Sequence, residues 1–335
     1  MPELRKDPLS NTWVILSPDR SRRPQFYKPS GEYSLTVENC PFCPGNEYMT
    51  PPEITAIRTP GTLENQPGWF QRIIPNKYPA LIRDETPGIQ NEIAGEFYEN
   101  YKGMGAHEVI IESTDHTRRM EELELEIISN VFCAYKTRIF ELKKDSRFRY
   151  IQVFKNHGTR AGATISHTHS QVLALPVIPG HILDRLNHAQ SYFKKNNKCL
   201  TCEMIKVETT ESKRLLFKDN RFVVLAPYAP RYAFELAIYP LHHGPSFEEI
   251  EDEAINALAS VFKQTMEQLN KMLKYPAYNL VLHTAPTGME KQSAEFFHWN
   301  LEIVPITSGL GGFEIGTQAY INSVTPEESV KILKN

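Results

Sequence analysis

Apolar and polar positions along the chain follow two periods. Short runs rich in Val, Ile, Tyr and Phe, bounded by turn-forming residues, predict strands over residues 11–15, 109–112, 149–154, 171–175, 222–226, 233–239, 279–283 and 299–303. Three longer stretches, residues 121–143, 182–195 and 247–273, repeat their apolar residues at helical spacing and predict helices. Strand pairs separated by one long helix point to an α+β fold, mainly antiparallel sheet with long helices packed on it.

The pattern occurs twice. In the first copy Cys40-Pro-Phe-Cys43 precedes a strand that leads to His116. A long helix, a strand and His167-Thr-His169-Ser-Gln171 follow. In the second copy Cys199-Leu-Thr-Cys202 precedes a strand that leads to His242-His243. A long helix, a strand and His298-Trp-Asn300-Leu-Glu302 follow. The order of parts is the same, which predicts a duplicated unit of about 150 residues, the typical length of a domain. The expected division is 1–178, which holds His169, and 179–335.

The repeat sorts the candidate metal ligands. A two-residue spacer lets two thiolates reach one tetrahedral ion, and histidines are the usual completion. The histidines that recur in both copies give Cys40, Cys43, His116 and His167, and Cys199, Cys202, His243 and His298, with His242 a rival to its neighbour. Two structural zinc ions per chain are expected; a redox dithiol or a coincidence of spacing is the alternative for each pair. The fifth cysteine, Cys133, lies mid-helix among apolar residues and reads as a buried small hydrophobe.

Composition narrows the class of function. With 40 acidic against 37 basic residues, the net charge of −3 argues against a nucleic-acid partner. No apolar run approaches the roughly 20 residues of a membrane span, and the amino terminus lacks the apolar stretch of a secretory signal. A cytoplasmic protein without a membrane partner is expected.

The copies differ at one decisive position: His169 in the first, Asn300 in the second. A scaffold that keeps its metal ligands twice and a further histidine once predicts one active centre per chain. Neutral imidazole is a competent nucleophile near pH 7 and can attack phosphorus and later leave, splitting one displacement into two. Ser170 and Gln171 stand beside it as candidate donors to phosphate oxygens. Upstream, the polar loop 156–164 contains Gly162, whose backbone could approach a phosphate closely. The basic cluster with Arg20 and Arg23 reads equally as a phosphate contact or an exposed turn.

At these residues the sequence resembles the galactose-1-phosphate uridylyltransferase family of the histidine-triad superfamily. The resemblance covers nearly the whole chain. It rests on Ser17-Pro-Asp-Arg20-Ser-Arg-Arg23-Pro, Cys40-Pro-Phe-Cys43, Asn76-Lys-Tyr-Pro-Ala-Leu81, Phe154-Lys-Asn156-His-Gly158, His167-Thr-His169-Ser-Gln171 and the tail that begins Gly311-Gly-Phe313-Glu314. It implies two histidine-triad-like repeats, a homodimer, and transfer of a nucleotide between a nucleotide sugar and a sugar phosphate or phosphate. His169 would hold the nucleotide covalently. Gln171 and Thr164 would bind the transferred phosphate. Asn76 and Asn156 would line the nucleotide pocket, Arg20 and Arg23 would meet phosphates, and Phe313 and Glu314 would fall in the sugar-phosphate segment. Thr168 and Ser170 depart from the family's His-Pro-His-Gly-Gln and look like the branch of ADP-glucose phosphorylases. UDP-glucose–hexose-1-phosphate uridylyl transfer is the first expectation and ADP-glucose phosphorolysis the second; a non-catalytic, zinc-stabilised nucleotide-binding module is the rival of another class.

Overall fold

The computed structural model describes residues 3–17, 36–83 and 102–335, so Arg20 and Arg23 lie outside the described residues. The first half comprises β1 (Glu3–Lys6), β2 (Trp13–Leu16), β3 (Thr55–Arg58), β4 (Trp69–Pro75), β5 (Ala106–Ile111), α1 (Leu125–Lys143), β6 (Tyr150–His157) and β7 (His169–Leu175). The second half opens with α2 (Gly180–Asn196) and α3 (Leu200–Glu211), then β8 (Leu215–Lys218), β9 (Phe222–Leu225) and β10 (Leu236–Pro240). It closes with α4 (Asp252–Leu273), β11 (Tyr278–His283), α5 (Glu290–Ser293), β12 (Asn300–Pro305), α6 (Gly312–Thr317), β13 (Tyr320–Asn322) and α7 (Pro326–Leu333).

The repeat is written into one ten-stranded sheet of order β3-β4-β5-β7-β6-β11-β12-β10-β9-β8. Each half supplies five strands in mirrored order, and all pairs are antiparallel. The halves join edge to edge where β6 pairs with β11, Tyr278 opposite His157 and Asn279 opposite Asn156. A smaller sheet, β1-β2-β13, ties the two chain ends together. Residues 3–16 thereby cross the expected division at 178/179, and Arg5 bonds Glu327 near the carboxyl end. The fold is the expected α+β type.

The three predicted helices are present, two of them with later starts. Residues Met120–Glu122 and Phe247–Glu249 form single 3₁₀ turns before α1 and α4. α1 and α4 pack on each other and on one face of the large sheet, and their apolar sides build the main core around Phe132, Tyr135, Phe262 and Trp299. Cys133 is half-buried against that core. β10 begins later than its apolar pattern predicts. Phe234 takes φ 65°, and the Glu235 carboxylate accepts from the Arg231 and Tyr232 N–H groups, so the chain is turning there rather than extending. Unforeseen were α3, which Cys199 caps, and strands β3, β4 and β8 at the sheet margins. No helix among the described residues is long and apolar enough to cross a membrane.

Candidate functional site

The start of β7 divides its side chains between two environments, because successive strand residues point to opposite faces. His169 and Gln171 lie on the face away from α1, with cross-strand neighbours Ile111 and Val109 on β5. Ser170 lies on the helix-packed face, opposite Ile110.

The His169 ring is 8% exposed and has one nitrogen committed. Its Nδ1 is 2.8 Å from the main-chain oxygen of His167. A carbonyl can only accept, so Nδ1 carries the proton and Nε2 keeps its lone pair. Burial, reinforced by the nearby Lys155 ammonium, pushes the ring down to about 4, which leaves it neutral at pH 7. Phe42, from the turn between Cys40 and Cys43, meets the ring edge-on at 5.2 Å.

Beneath the strand, a buried ion pair fixes this geometry. Lys155 Nζ donates to Glu112 Oε2 at 2.7 Å, to Thr168 Oγ1 at 2.9 Å and to the main-chain oxygen of His169 at 2.9 Å. Thr168 and Ser170 both donate to the Glu112 carboxylate, and Tyr135 donates to Ser170. Burial raises the Glu112 carboxyl, but Lys155 and these hydrogen bonds outweigh it and hold the group below its ordinary range. This corrects the expectation for Ser170. Its hydroxyl is spent in the core, so it supports the strand from below and has no reach to a phosphate on the other face.

Around His169 the chain leaves a cavity of about 170 Å³ lined by Asn156, Thr164, His157 and the 116–119 turn. Asn156 stands opposite the β7 start, its Oδ1 accepting from Asn279 Nδ2 at 2.8 Å. The expectation for Gly162 needs a correction too. The N–H groups of Ala161, Gly162 and Ala163 all close onto carbonyls of Gly158 and Thr159, and Gly162 sits at φ 92°. It makes the tight turn possible, and its own N–H is not free for a ligand.

Gln171 and Asn76 meet at a residue that sequence reasoning did not single out. His107, on β5, places Nε2 2.8 Å from Gln171 Oε1 and 3.3 Å from Asn76 Nδ2, while the Ala80 N–H approaches Nδ1 at 3.1 Å. Its signal was the strand period: 107, 109 and 111 share a face, and 109 and 111 oppose Gln171 and His169. His157 was also missed; it stacks on Tyr278 at 5.1 Å, and burial pushes it down to about 3.

Two further groups of side chains gather, one in each half. Cys40, Cys43, His116 and His167 have ligand atoms within 4.8 Å of one another, as have Cys199, Cys202, His243 and His298. His243, not His242, joins the second group. The donor chemistry fits zinc. His167, His243 and His298 each point Nε2 at a main-chain oxygen (Ser113, Ala294 and Pro240) at 2.7–2.9 Å. That fixes the proton on Nε2 and leaves Nδ1 bare toward the sulfurs, the outer-shell arrangement of ligating histidines. Nδ1 to Sγ separations of 3.2–3.7 Å match the ~3.3–3.8 Å edges of a tetrahedron with zinc bond lengths. Burial, with Cys40 alongside, pushes the Cys43 thiol up to about 12, a cost that a divalent cation among the four would remove.

The tail residues stand elsewhere. Phe313 and Glu314 lie on α6, beside β13, and are not among the residues lining the cavity at His169. On the second half of the sheet, Asn300 takes the position of His169 and Glu302 that of Gln171. There Arg185 donates to Asn300 Oδ1 at 3.0 Å, and Arg231 bonds Glu235 and Glu302. That face carries its own ion pairs.

A sheet built twice from five strands, each half carrying a Cys₂His₂ cluster, defines a duplicated α+β protein with two candidate metal sites. A model of the galactose-1-phosphate uridyl transferase N-terminal domain matches residues 1–179, and a model of a domain of unknown function matches residues 129–334. The chain is 39% identical to the ADP-glucose phosphorylase of Arabidopsis thaliana, over 99% of this chain and 92% of that protein. It is 28% identical to the galactose-1-phosphate uridylyltransferase of Thermotoga maritima, over 100% and 98%. The crystal structure of the Arabidopsis thaliana ADP-glucose phosphorylase with bound ADP-glucose superposes with a TM-score of 0.84 at 37% identity, covering 100% of this chain and 98% of that one. A uridylyltransferase structure gives 0.75 at 26%, covering 100% and 97%. The chain belongs to the galactose-1-phosphate uridylyltransferase family of nucleotidyltransferases.

Proposed function

We propose that the protein transfers a nucleotidyl group through a covalent nucleotidyl-histidine on His169. The observation that carries this reading is the ring itself: neutral, with Nδ1–H held by the His167 carbonyl and Nε2 bare. Nε2 attacks the α-phosphorus of a nucleotide sugar. The N–P bond forms as the P–O bond to the sugar phosphate breaks, and the sugar 1-phosphate leaves with the electron pair. The positive charge that develops on the ring is shared through Nδ1–H with the His167 carbonyl. In the second step an acceptor phosphate oxygen attacks the same phosphorus and His169 recovers its lone pair. The Gln171 carboxamide, with Asn156 and Thr164 at the cavity, donates to the phosphate oxygens whose charge grows in each transition state.

ADP-glucose is the favoured donor and inorganic phosphate the favoured acceptor, giving ADP and glucose 1-phosphate. The support is the similarity to the Arabidopsis thaliana enzyme, at 39% against 28% for the uridylyltransferase, and the shared shape of the first at a TM-score of 0.84. The uridylyl transfer expected first from the sequence becomes the second reading, supported by the family model over residues 1–179. The Cys40/Cys43/His116/His167 and Cys199/Cys202/His243/His298 sets would each hold one zinc ion, whose chemistry here is to lock distant segments of chain together.

The deciding experiment is an activity matrix: ADP-glucose and UDP-glucose, each with phosphate and with galactose 1-phosphate. Turnover of ADP-glucose with phosphate alone is expected to lead by at least an order of magnitude. Preference for UDP-glucose with galactose 1-phosphate would reverse the assignment, and no turnover in any pairing would leave only the binding-module reading.

A further inference from the structure

We infer that His107 is a positioning residue that turns the amide group of Gln171, NH₂ outward, toward the reacting phosphate. The inference rests on the nucleotidyl-transfer reading above. It follows from one main-chain group. The Ala80 N–H can only donate, and it meets His107 Nδ1 at 3.1 Å. Nδ1 must therefore be the bare nitrogen of a neutral ring, and the proton sits on Nε2. A protonated Nε2 at 2.8 Å needs an acceptor, so the Gln171 atom beside it is the carbonyl oxygen. With its oxygen tied to His107, Gln171 is left to offer its NH₂ as a hydrogen-bond donor, the polarity a phosphate requires.

Neither orientation is secured by the amide alone, since its two ends are nearly the same shape. The ring is held in turn on the side of the 76–82 segment. The Asn76 N–H donates to the His107 main-chain oxygen at 2.8 Å, and Asn76 Oδ1 accepts from the Tyr78 N–H at 2.9 Å. The side chain of Asn76 thus packs its Nδ2 against Nε2 at 3.3 Å without a lone pair to accept it. The chain of dependence runs from the Ala80 main chain, through the tautomer of His107, to the direction of the Gln171 amide. His107 itself makes no contact with the nucleophile and acts only through Gln171.

The test is a double-mutant cycle on the full-length enzyme, read as the rate of nucleotidyl-enzyme formation from α-labelled ADP-glucose and, in parallel, from α-labelled UDP-glucose. His107→Leu removes both ring contacts and should slow that step by ~10–100-fold, somewhat less than the ~10²–10³ of losing a whole transition-state donor, with KM moved less than about threefold. Gln171→Ala should cost at least as much, and the double variant no more than Gln171→Ala alone. His107→Gln, whose amide NH₂ reaches the Nε2 position, can donate to Gln171, so it should recover part of the rate. Multiplying losses in the double variant, or wild-type rates in His107→Leu, would overturn the inference while leaving covalent transfer intact. A wild-type enzyme that forms no covalent intermediate from either sugar would overturn both. Independently of any variant, long-range ¹H–¹⁵N NMR of the native protein should find His107 protonated on Nε2; an Nδ1–H tautomer contradicts the inference directly.

Discussion

His169 differs from His167 and His298, the cluster histidines that stand just before β7 and β12, in what its two nitrogens meet. His167 and His298 direct Nε2 to carbonyls and Nδ1 to sulfur, whereas His169 directs Nδ1 to a carbonyl and leaves Nε2 uncommitted. His169→Asn should therefore keep zinc content and melting temperature but lower turnover on the order of 10⁴–10⁶-fold, the scale for losing a covalent nucleophile. Asparagine is a fair replacement because Asn300 already occupies the equivalent place in the second half. Full activity in that variant would remove the histidine from the reaction. His169 was visible in the sequence because a repeat exposes what only one copy keeps. Ser170 misled because adjacency in sequence places a neighbour on the opposite face of a strand. Gly162 misled because a glycine that serves a turn reads the same as one that serves a ligand.

At the scale of the element, β7 is a strand with His169 and Gln171 on one face and buried support on the other. Lys155 and Glu112 are both buried, with a 2.7 Å contact between them. Removing one partner of such a pair costs about 3–5 kcal/mol, because the other is left charged and unpaired. Lys155→Met should lower the unfolding free energy by that amount in urea titrations, and Lys155→Met with Glu112→Leu should regain most of it. Equal loss in single and double variants would place the cost in packing rather than in charge. The same carboxyl predicts a pH dependence. Its folded value lies below the ordinary range, so its contribution is full above the unfolded value of ~4.3 and fades as pH falls through the folded one. Glu112→Gln should flatten the acid limb of a stability-against-pH curve; an unchanged limb would assign it to other carboxylates. The period of β6 and β7 was legible in the sequence, but this pairing was not. Lys155 and Glu112 are 43 residues apart, and nothing local marks two charges that meet only once β5, β7 and β6 lie side by side.

The whole molecule is a symmetric scaffold in which one copy alone carries the proposed nucleophile. Ten strands in mirrored order place His169 and Asn300 at equivalent positions, yet the second face carries Arg231 between Glu235 and Glu302. Metal binding should keep the symmetry that the chemistry has lost. Elemental analysis should give two zinc ions per chain, with Cys40→Ser and Cys199→Ser each losing one; a single zinc in the native protein would mean that one cluster is not a metal site. The duplication and both ligand sets were readable from the order of cysteines and histidines. The closing small sheet was not, because β1, β2 and β13 are three- and four-residue strands from opposite chain ends. All of the proposed chemistry depends on a bond between His169 Nε2 and phosphorus. Mixing the protein with ADP-glucose or UDP-glucose without acceptor, quenching in base and mapping the peptides by mass spectrometry measures that bond directly. A nucleoside monophosphate on the peptide bearing His169, lost in acid and discharged by added phosphate, is the expected result; an unmodified His169, or the adduct on another residue, contradicts the account.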